Sequence, residues 1–273
     1  MNLSDLKKIT DELPASEIQP VLFIGHGNPM NALYDNVFTR SLTSLGNSLA
    51  KPKAILVVYA HWLSRGTFVS TTSNPKTIYD FGGFPPEMYQ IIYPAKGSPE
   101  SAKLVQEEVK KTIVNADSAM GMDHGAWTIL KHMYPDASVP VFELSIDFYQ
   151  SPRWHYELAQ ELKALRKKGI LIIGSGNIVH NLRRANFEDD AKVDDWAIEF
   201  DEIIKSKILS HDHDAIIDYH NLGKSAAIAV PTNDHYLPLI YSLGLQEKNE
   251  EVAFTFEGFQ NQNISMRCVK IGR

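Results

Sequence analysis

Four short apolar runs, residues 21–24, 54–60, 139–146 and 169–173, are separated by stretches in which apolar residues return every three or four positions. Runs this short, rich in β-branched residues and apolar on both faces, read as strands that helices must cover from two sides. Strands alternating with helices restrict the chain to an α/β architecture. Ser98-Pro99 predicts a helix start ahead of Leu104, Val105 and Val109, and Ser151-Pro152 predicts another ahead of Leu158, Leu162 and Leu165. A third helix is predicted over residues 194–208. Residues 251–256 and 264–271 alternate as strands around a turn at Gly258 and the Asn/Gln run, so they read as a hairpin. The predicted fold is a single-domain α/β sandwich with a central mixed β-sheet flanked by helices. A chain of 273 residues fits one such unit.

Composition removes several classes of function. Charged residues make up 22%, the net charge is −6, and Lys and Arg gather only in short runs such as those at Lys167 and Lys168 and at Arg183 and Arg184. Nucleic acid and anionic membrane are therefore not expected as partners. Cys268 is the single cysteine, so a metal would have to be held by His, Asp or Glu. The polar segment over residues 1–20 begins MNLSDLKKITDELPAS, without the apolar core of a signal peptide, and no run approaches the ~18 apolar residues of a membrane span. A cytoplasmic protein is expected.

The ten histidines divide by context. His132, His155, His211, His213 and His220 lie in polar or helical surroundings and read as surface or packed residues. The other five sit at junctions: His26 between Gly25 and Gly27 after a strand, His61 at the end of AILVVYA, His124 in MDHGAW, His180 after IIGSGNIV, and His235 in PTNDHYLP. In α/β sheets the ligand crevice lies outside the carboxyl ends of the strands, so His26, His61 and His180 are predicted to converge. One strand-end histidine can simply satisfy local hydrogen bonds. Five in such places point to a metal, because neutral imidazole is the commonest protein ligand for one. The glycines beside them are predicted to let backbone approach a ligand closely or take φ > 0. The string IGSGNIVHN carries only GSG, which falls short of a dinucleotide loop and of a nucleophile elbow.

In order along the chain, GHGNPM, AHW, YDFGGFP, DHGAWTIL, SGNIVHN and NDHYLPL resemble the class III (LigB-type) extradiol ring-cleavage dioxygenases, in the 4,5-DOPA extradiol dioxygenase branch. The resemblance spans nearly everything after the first twenty residues. It implies a catalytic domain over residues 21–273 with one divalent metal in a cleft at the strand ends. It implies His26, His61 and His235 as metal ligands, His180 as a fourth ligand when zinc is bound, and His124 and His180 as acid–base residues. Other class III enzymes use a carboxylate as third ligand; here that position is His235, beside Asp234. An all-histidine set suits Zn(II) as well as the Fe(II) expected for catalysis.

The partners implied are a small-molecule catechol and O2. Trp62, Tyr79, Phe81, Phe84 and Tyr236 are expected as aromatic walls, several from the unperiodic stretch over residues 71–97, and Asn28 or Asn177 as polar groups orienting the substrate. Two alternatives compete. One is a zinc hydrolase with Asp123, Asp147 or Asp234 as base; the other is a non-catalytic binding or signalling protein of the same superfamily.

Overall fold

A computed structural model describes residues 18–188 and 191–273; most of the polar segment over residues 1–20 lies outside them. After β1 (Val21–Gly25) the chain enters α1 (Val37–Ser48) through a reciprocal cap: Asn36 Oδ1 accepts from the Thr39 amide and Thr39 Oγ1 from the Asn36 amide, each at 2.9 Å. Then come β2 (Ala54–Ser64), β3 (Thr67–Ser70), α2 (Pro99–Glu108), β4 (Val114–Asp117), α3 (His124–Met133) and β5 (Val141–Asp147). The next stretch holds α4 (Pro152–Glu161), α5 (Lys163–Lys167), β6 (Ile170–Gly176), α6 (Asp195–Leu209), α7 (His213–Ile217), α8 (Lys224–Ala229) and α9 (Leu237–Gly244). The chain closes with β7 (Val252–Phe256), β8 (Phe259–Gln260), β9 (Ile264–Ser265) and β10 (Cys268–Ile271).

The two Ser-Pro starts behave differently. Ser151 Oγ accepts from the Trp154 amide at 3.2 Å, as a cap should. The Ser98 hydroxyl turns instead to Glu100 and Ser101, so Pro99 alone carries the signal for α2. The helix read through Leu165 breaks at Leu162 into α4 and α5.

Eight strands form one mixed sheet in the order β4-β3-β5-β2-β6-β1-β10-β7. The central β5, β2, β6 and β1 run parallel, while β3 and β10 pair antiparallel at either side of them. The expected C-terminal hairpin is present as β7 against β10, with the small β8–β9 hairpin inserted between its strands.

Side chains of the central strands alternate between two cores. Val21, Phe23, Leu56 and Val58 face one, against α2, α4, α6 and α9; Leu22, Ile24, Ile55 and Val57 face the other, against α1 and α3. All eight are fully buried, and each such burial stabilises the fold by about 1.5–3 kcal/mol. Both faces must therefore be covered, which yields the predicted α/β sandwich. The Arg267 guanidinium, itself buried, pairs with Asp201 of α6 and ties down the segment between β9 and β10. Among the described residues no helix is long and apolar enough to cross a membrane.

Candidate metal centre

Because β1, β2 and β6 are parallel, their carboxyl ends open on one edge of the sheet. His26 is the first residue past β1, and its amide extends the ladder by donating to Gly176 O at 3.1 Å. His61 lies inside β2 where that strand bulges: the step from Val58 to Leu63 faces only Leu144 to Ile146 on β5. A bulge re-aims the side chains it carries, and this one delivers His61 to the cleft. His180 follows β6 and donates its amide to Ala229 O. His235 stands in the turn before α9, which Asn177 N–H pins to the end of β6 by donating to His235 O at 2.8 Å. Gly176 permits that approach, since a Cβ there would stand 2.2 Å from His235 O. His124 opens α3 directly after Asp123.

One ring nitrogen from each of His26, His61 and His235 lies within 4.8 Å of the others. Each ring is held from behind at Nδ1: His26 by Ser175 Oγ at 3.0 Å, His61 by Asp123 at 2.9 Å and His235 by Asp234 at 2.5 Å. A carboxylate can only accept, so His61 and His235 carry their hydrogen on Nδ1 and a lone pair on Nε2. Ser175 has one hydroxyl hydrogen and gives it to Gly125 O at 2.6 Å, which makes it an acceptor from His26 as well. All three histidines thus turn a bare Nε2 toward the cleft. Two of these atoms, on His61 and His235, are 3.1 Å apart. Lone pairs that close repel unless one positive charge, a proton or a metal, is shared between them. The residues therefore fit a divalent metal, and the donor set is the all-imidazole one expected from the resemblance.

Electrostatics agree with this. Burial, reinforced by the neighbouring histidines, pushes the His26 pKa well below its usual value. Burial likewise takes His235 down to about 4, despite Asp234. Both are neutral, as ligands must be. His61 is the exception: burial lowers it, but the hydrogen bond and charge of Asp123, with Asp80 behind, carry it above its usual value. A metal there competes with a proton.

His180 does not join the three-nitrogen set; its ring stacks on His235 with centroids 3.5 Å apart and planes 7° from parallel. Burial above all lowers its pKa to about 2. His124 stacks on His61 at 4.4 Å and its Nδ1 meets Asp80 Oδ1 at 2.7 Å. The other oxygen of Asp80 lies 3.3 Å from His61 Nδ1. Burial raises the Asp80 pKa, yet the hydrogen bond and charge of His124 outweigh it and hold the carboxyl well below the usual range. Asp80 and Ser175 are the functional residues that sequence reasoning missed.

All five junction histidines line one cavity of about 690 Å³, together with Asn28, Phe81 and Phe84 from the predicted substrate wall. Four other predicted wall residues do not line it. Trp62 sits on the bulge of β2 but turns into the core around α3. Tyr236 is fully buried on the opposite face, its hydroxyl donating to Ile216 O at 3.0 Å. Tyr79 donates to Ile91 O, and Asn177 spends its amide on Ser265 O. Leu63, Leu182, Phe187, Asn261 and Ile264 are among the residues that complete the lining. The glycines also differ from expectation: of Gly25, Gly27, Gly174 and Gly176, beside His26 and at the end of β6, only Gly27 takes positive φ, at 62°, and Gly176 makes room for protein backbone, not for a ligand.

Fold and centre together define an α/β protein whose strand ends carry a histidine site suited to one divalent metal. Residues 20–267 match the family described as the catalytic LigB subunit of aromatic ring-opening dioxygenase, and the chain belongs to that family. It is 41% identical over 268 residues to a protein of Escherichia coli (strain K12) named 4,5-DOPA dioxygenase extradiol, covering 97% of this chain and 98% of that one. A protein of the same name from Beta vulgaris is 36% identical over 240 residues, covering 86% of this chain and 89% of its own. The crystal structure of an uncharacterized Escherichia coli K12 protein superposes with a TM-score of 0.82 at 39% identity, covering 93% of this chain and 100% of that one. The resemblance read from the six motifs is borne out, and the enzyme class is that of ring-cleaving dioxygenases.

Proposed function

We propose that this protein opens the ring of a DOPA-like catechol with O2 by extradiol cleavage, at one divalent metal held by His26, His61 and His235. The observation that carries the reading is the set of three imidazoles, each fixed at Nδ1 and bare at Nε2, in a cavity that also contains a histidine–carboxylate pair. Fe(II) is the metal assigned to turnover and Zn(II) the one an all-histidine set also retains. When bound, iron lowers the acidity threshold of the diol and lets ring electrons reach O2.

The chain's own residues handle the substrate and its protons. Phe81, Phe84, Leu63 and Phe187 give the ring an apolar slot and exclude water from it. His124, with its Nδ1–H on Asp80, turns Nε2 to the cavity and is placed to take a proton from the diol; the Asp80 charge stabilises the imidazolium. The proton returns as the ring carbon–carbon bond beside the diol breaks and both oxygen atoms of O2 enter the product. His180, neutral and beside His235, is assigned the second acid–base position and, with zinc, the fourth ligand.

The hydrolase alternative needs a carboxylate free to activate water. Asp123 and Asp234 are committed to His61 and His235, and Asp147 does not line the cavity. The cavity's intact set of junction histidines also weighs against a purely non-catalytic relative. The test is O2 uptake by anaerobically Fe(II)-loaded protein given L-DOPA, with product identified by mass. One O2 consumed per ring opened is expected; no turnover of any catechol at full iron occupancy, or ester hydrolysis by the zinc form, overturns the reading.

A further inference from the structure

The histidine cleft does not end at its apolar slot. A second hollow of about 350 Å³ shares Asn28, Phe187 and Asn261 with it. A ligand whose ring lies at the histidines and whose chain passes Asn28 therefore enters that hollow. Its wall chemistry is more polar: Tyr34, Asn36, Gln260, Gln262 and one carboxylate, Glu188, stand beside Phe187 and Phe259. No Lys or Arg lines either cavity among the described residues. A lone carboxylate placed there would lose hydration without gaining a counter-charge. Amides suit a head group that carries both signs and no net charge, because each presents a donor and an acceptor in one neutral group.

The turn between β8 and β9 offers both halves of such recognition. Asn261 Oδ1 accepts from Asn28 Nδ2 at 3.4 Å, whereas its Nδ2 has no hydrogen bond to the described residues. Gln262 Nε2 donates to Asp194 Oδ1 at 3.0 Å, whereas its Oε1 has no such partner. One unused donor and one unused acceptor thus belong to consecutive residues of one turn, both lining the hollow. The two residues hold consecutive left-handed conformations, φ 50° and 71°, and their carbonyls are tied by the amides of Asn186 and Asp194. The turn is fixed before any ligand arrives.

We infer that this turn is the side-chain subsite of the enzyme: Asn261 Nδ2 donates to the carboxylate, and Gln262 Oε1 accepts from the ammonium, of a catechol that ends in an α-amino acid. The inference rests on the proposed catechol reaction and adds the residues that select among catechols.

The test is calorimetric binding to zinc-loaded protein without oxygen, using L-DOPA, dopamine, 3,4-dihydroxyphenylpropionate and 4-methylcatechol. Asn261→Gly keeps the left-handed backbone and removes the donor; Gln262→Met keeps the length and removes the acceptor. Losing one hydrogen bond to a charged group weakens binding by about tenfold or more. Asn261→Gly is expected to weaken L-DOPA and 3,4-dihydroxyphenylpropionate by that factor, Gln262→Met to weaken L-DOPA and dopamine, and neither to move 4-methylcatechol by more than about twofold. Should Asn261→Gly not fold, Asn261→Asp tolerates the same backbone and repels the carboxylate, with the same ligands affected. Equal weakening of all four catechols, or L-DOPA binding unchanged in both variants, rejects the subsite and leaves the catechol reading standing. Failure of the wild type to bind any of the four brings down the catechol reading, and this inference with it.

Discussion

His61 and His235, 174 positions apart in the chain, point Nε2 at Nε2 across 3.1 Å, and each is backed at Nδ1 by its own carboxylate. Such a pair gains most from a shared cation. Adding divalent metal should therefore raise the melting temperature, and a chelator should reverse it. At a metal concentration of one hundred times Kd the gain is about 2.7 kcal/mol, or about 5–10 °C for a chain of this size. Replacing His61 or His235 with Ala should abolish the metal-dependent shift in differential scanning calorimetry; a shift that survives both changes places the metal elsewhere.

Ser175 stands directly behind His26, one of the three proposed ligands. Fully buried, it accepts from His26 while donating to Gly125 O, and so fixes both the tautomer and the tilt of that ring. Ser175→Ala leaves His26 free to rotate and strands the Gly125 carbonyl. Metal affinity should fall about 10–100-fold, the usual cost of losing a group that orients a ligand, with the folded structure retained. Competition with a chromogenic chelator measures it, and unchanged affinity would mean that packing alone orients His26.

Four of the five histidines were legible because each follows an apolar run or sits beside glycine, and a parallel sheet brings such ends together; His235, in PTNDHYLP, stood out only by its polar turn context. What escaped the sequence was orientation. Trp62 neighbours a cleft histidine, but adjacent residues of an extended chain face opposite ways, and the bulge that redirects His61 leaves Trp62 in the core. Tyr236 follows His235 into a turn that sends its ring under the sheet. Asp80 lies in YDFGGFP, a stretch without a period, where nothing local separates a functional carboxylate from a solvated one. The four-residue strands β3 and β4 are too short to show alternation, and α9 is buried along its whole length, which erases the helical period.

Among the described residues, His124 and Asp80 form the one histidine–carboxylate pair at the cleft whose histidine lies outside the proposed metal-binding triad. His124→Phe should leave metal content unchanged and lower turnover by about 10²–10⁴-fold, the range for a lost general acid–base. Asp80→Asn keeps an acceptor for His124 Nδ1 but removes the charge that stabilises its protonated form, so turnover should fall by a smaller factor. Steady-state O2 uptake beside metal analysis by mass spectrometry checks both. Full activity in His124→Phe removes it from the proton path.

Away from the cleft, His155 couples stability to pH. Its ring is fully buried, Nδ1 is 2.9 Å from the Tyr241 hydroxyl, and burial pushes its pKa down to about 4 against the field of Asp147. The unfolded chain restores an ordinary value near 6.5. As pH falls below 6.5 the unfolded state takes a proton that the folded state refuses, so stability drops until about pH 4, where the folded state is protonated too. Above 6.5 the group has no pH effect. The loss across that window is about 3 kcal/mol at most. His155→Gln has nothing to titrate there. Urea unfolding at pH 7 and pH 4 should show the wild type losing more stability than the variant by roughly that amount, and parallel curves for the two proteins would show that His155 is not the group responsible.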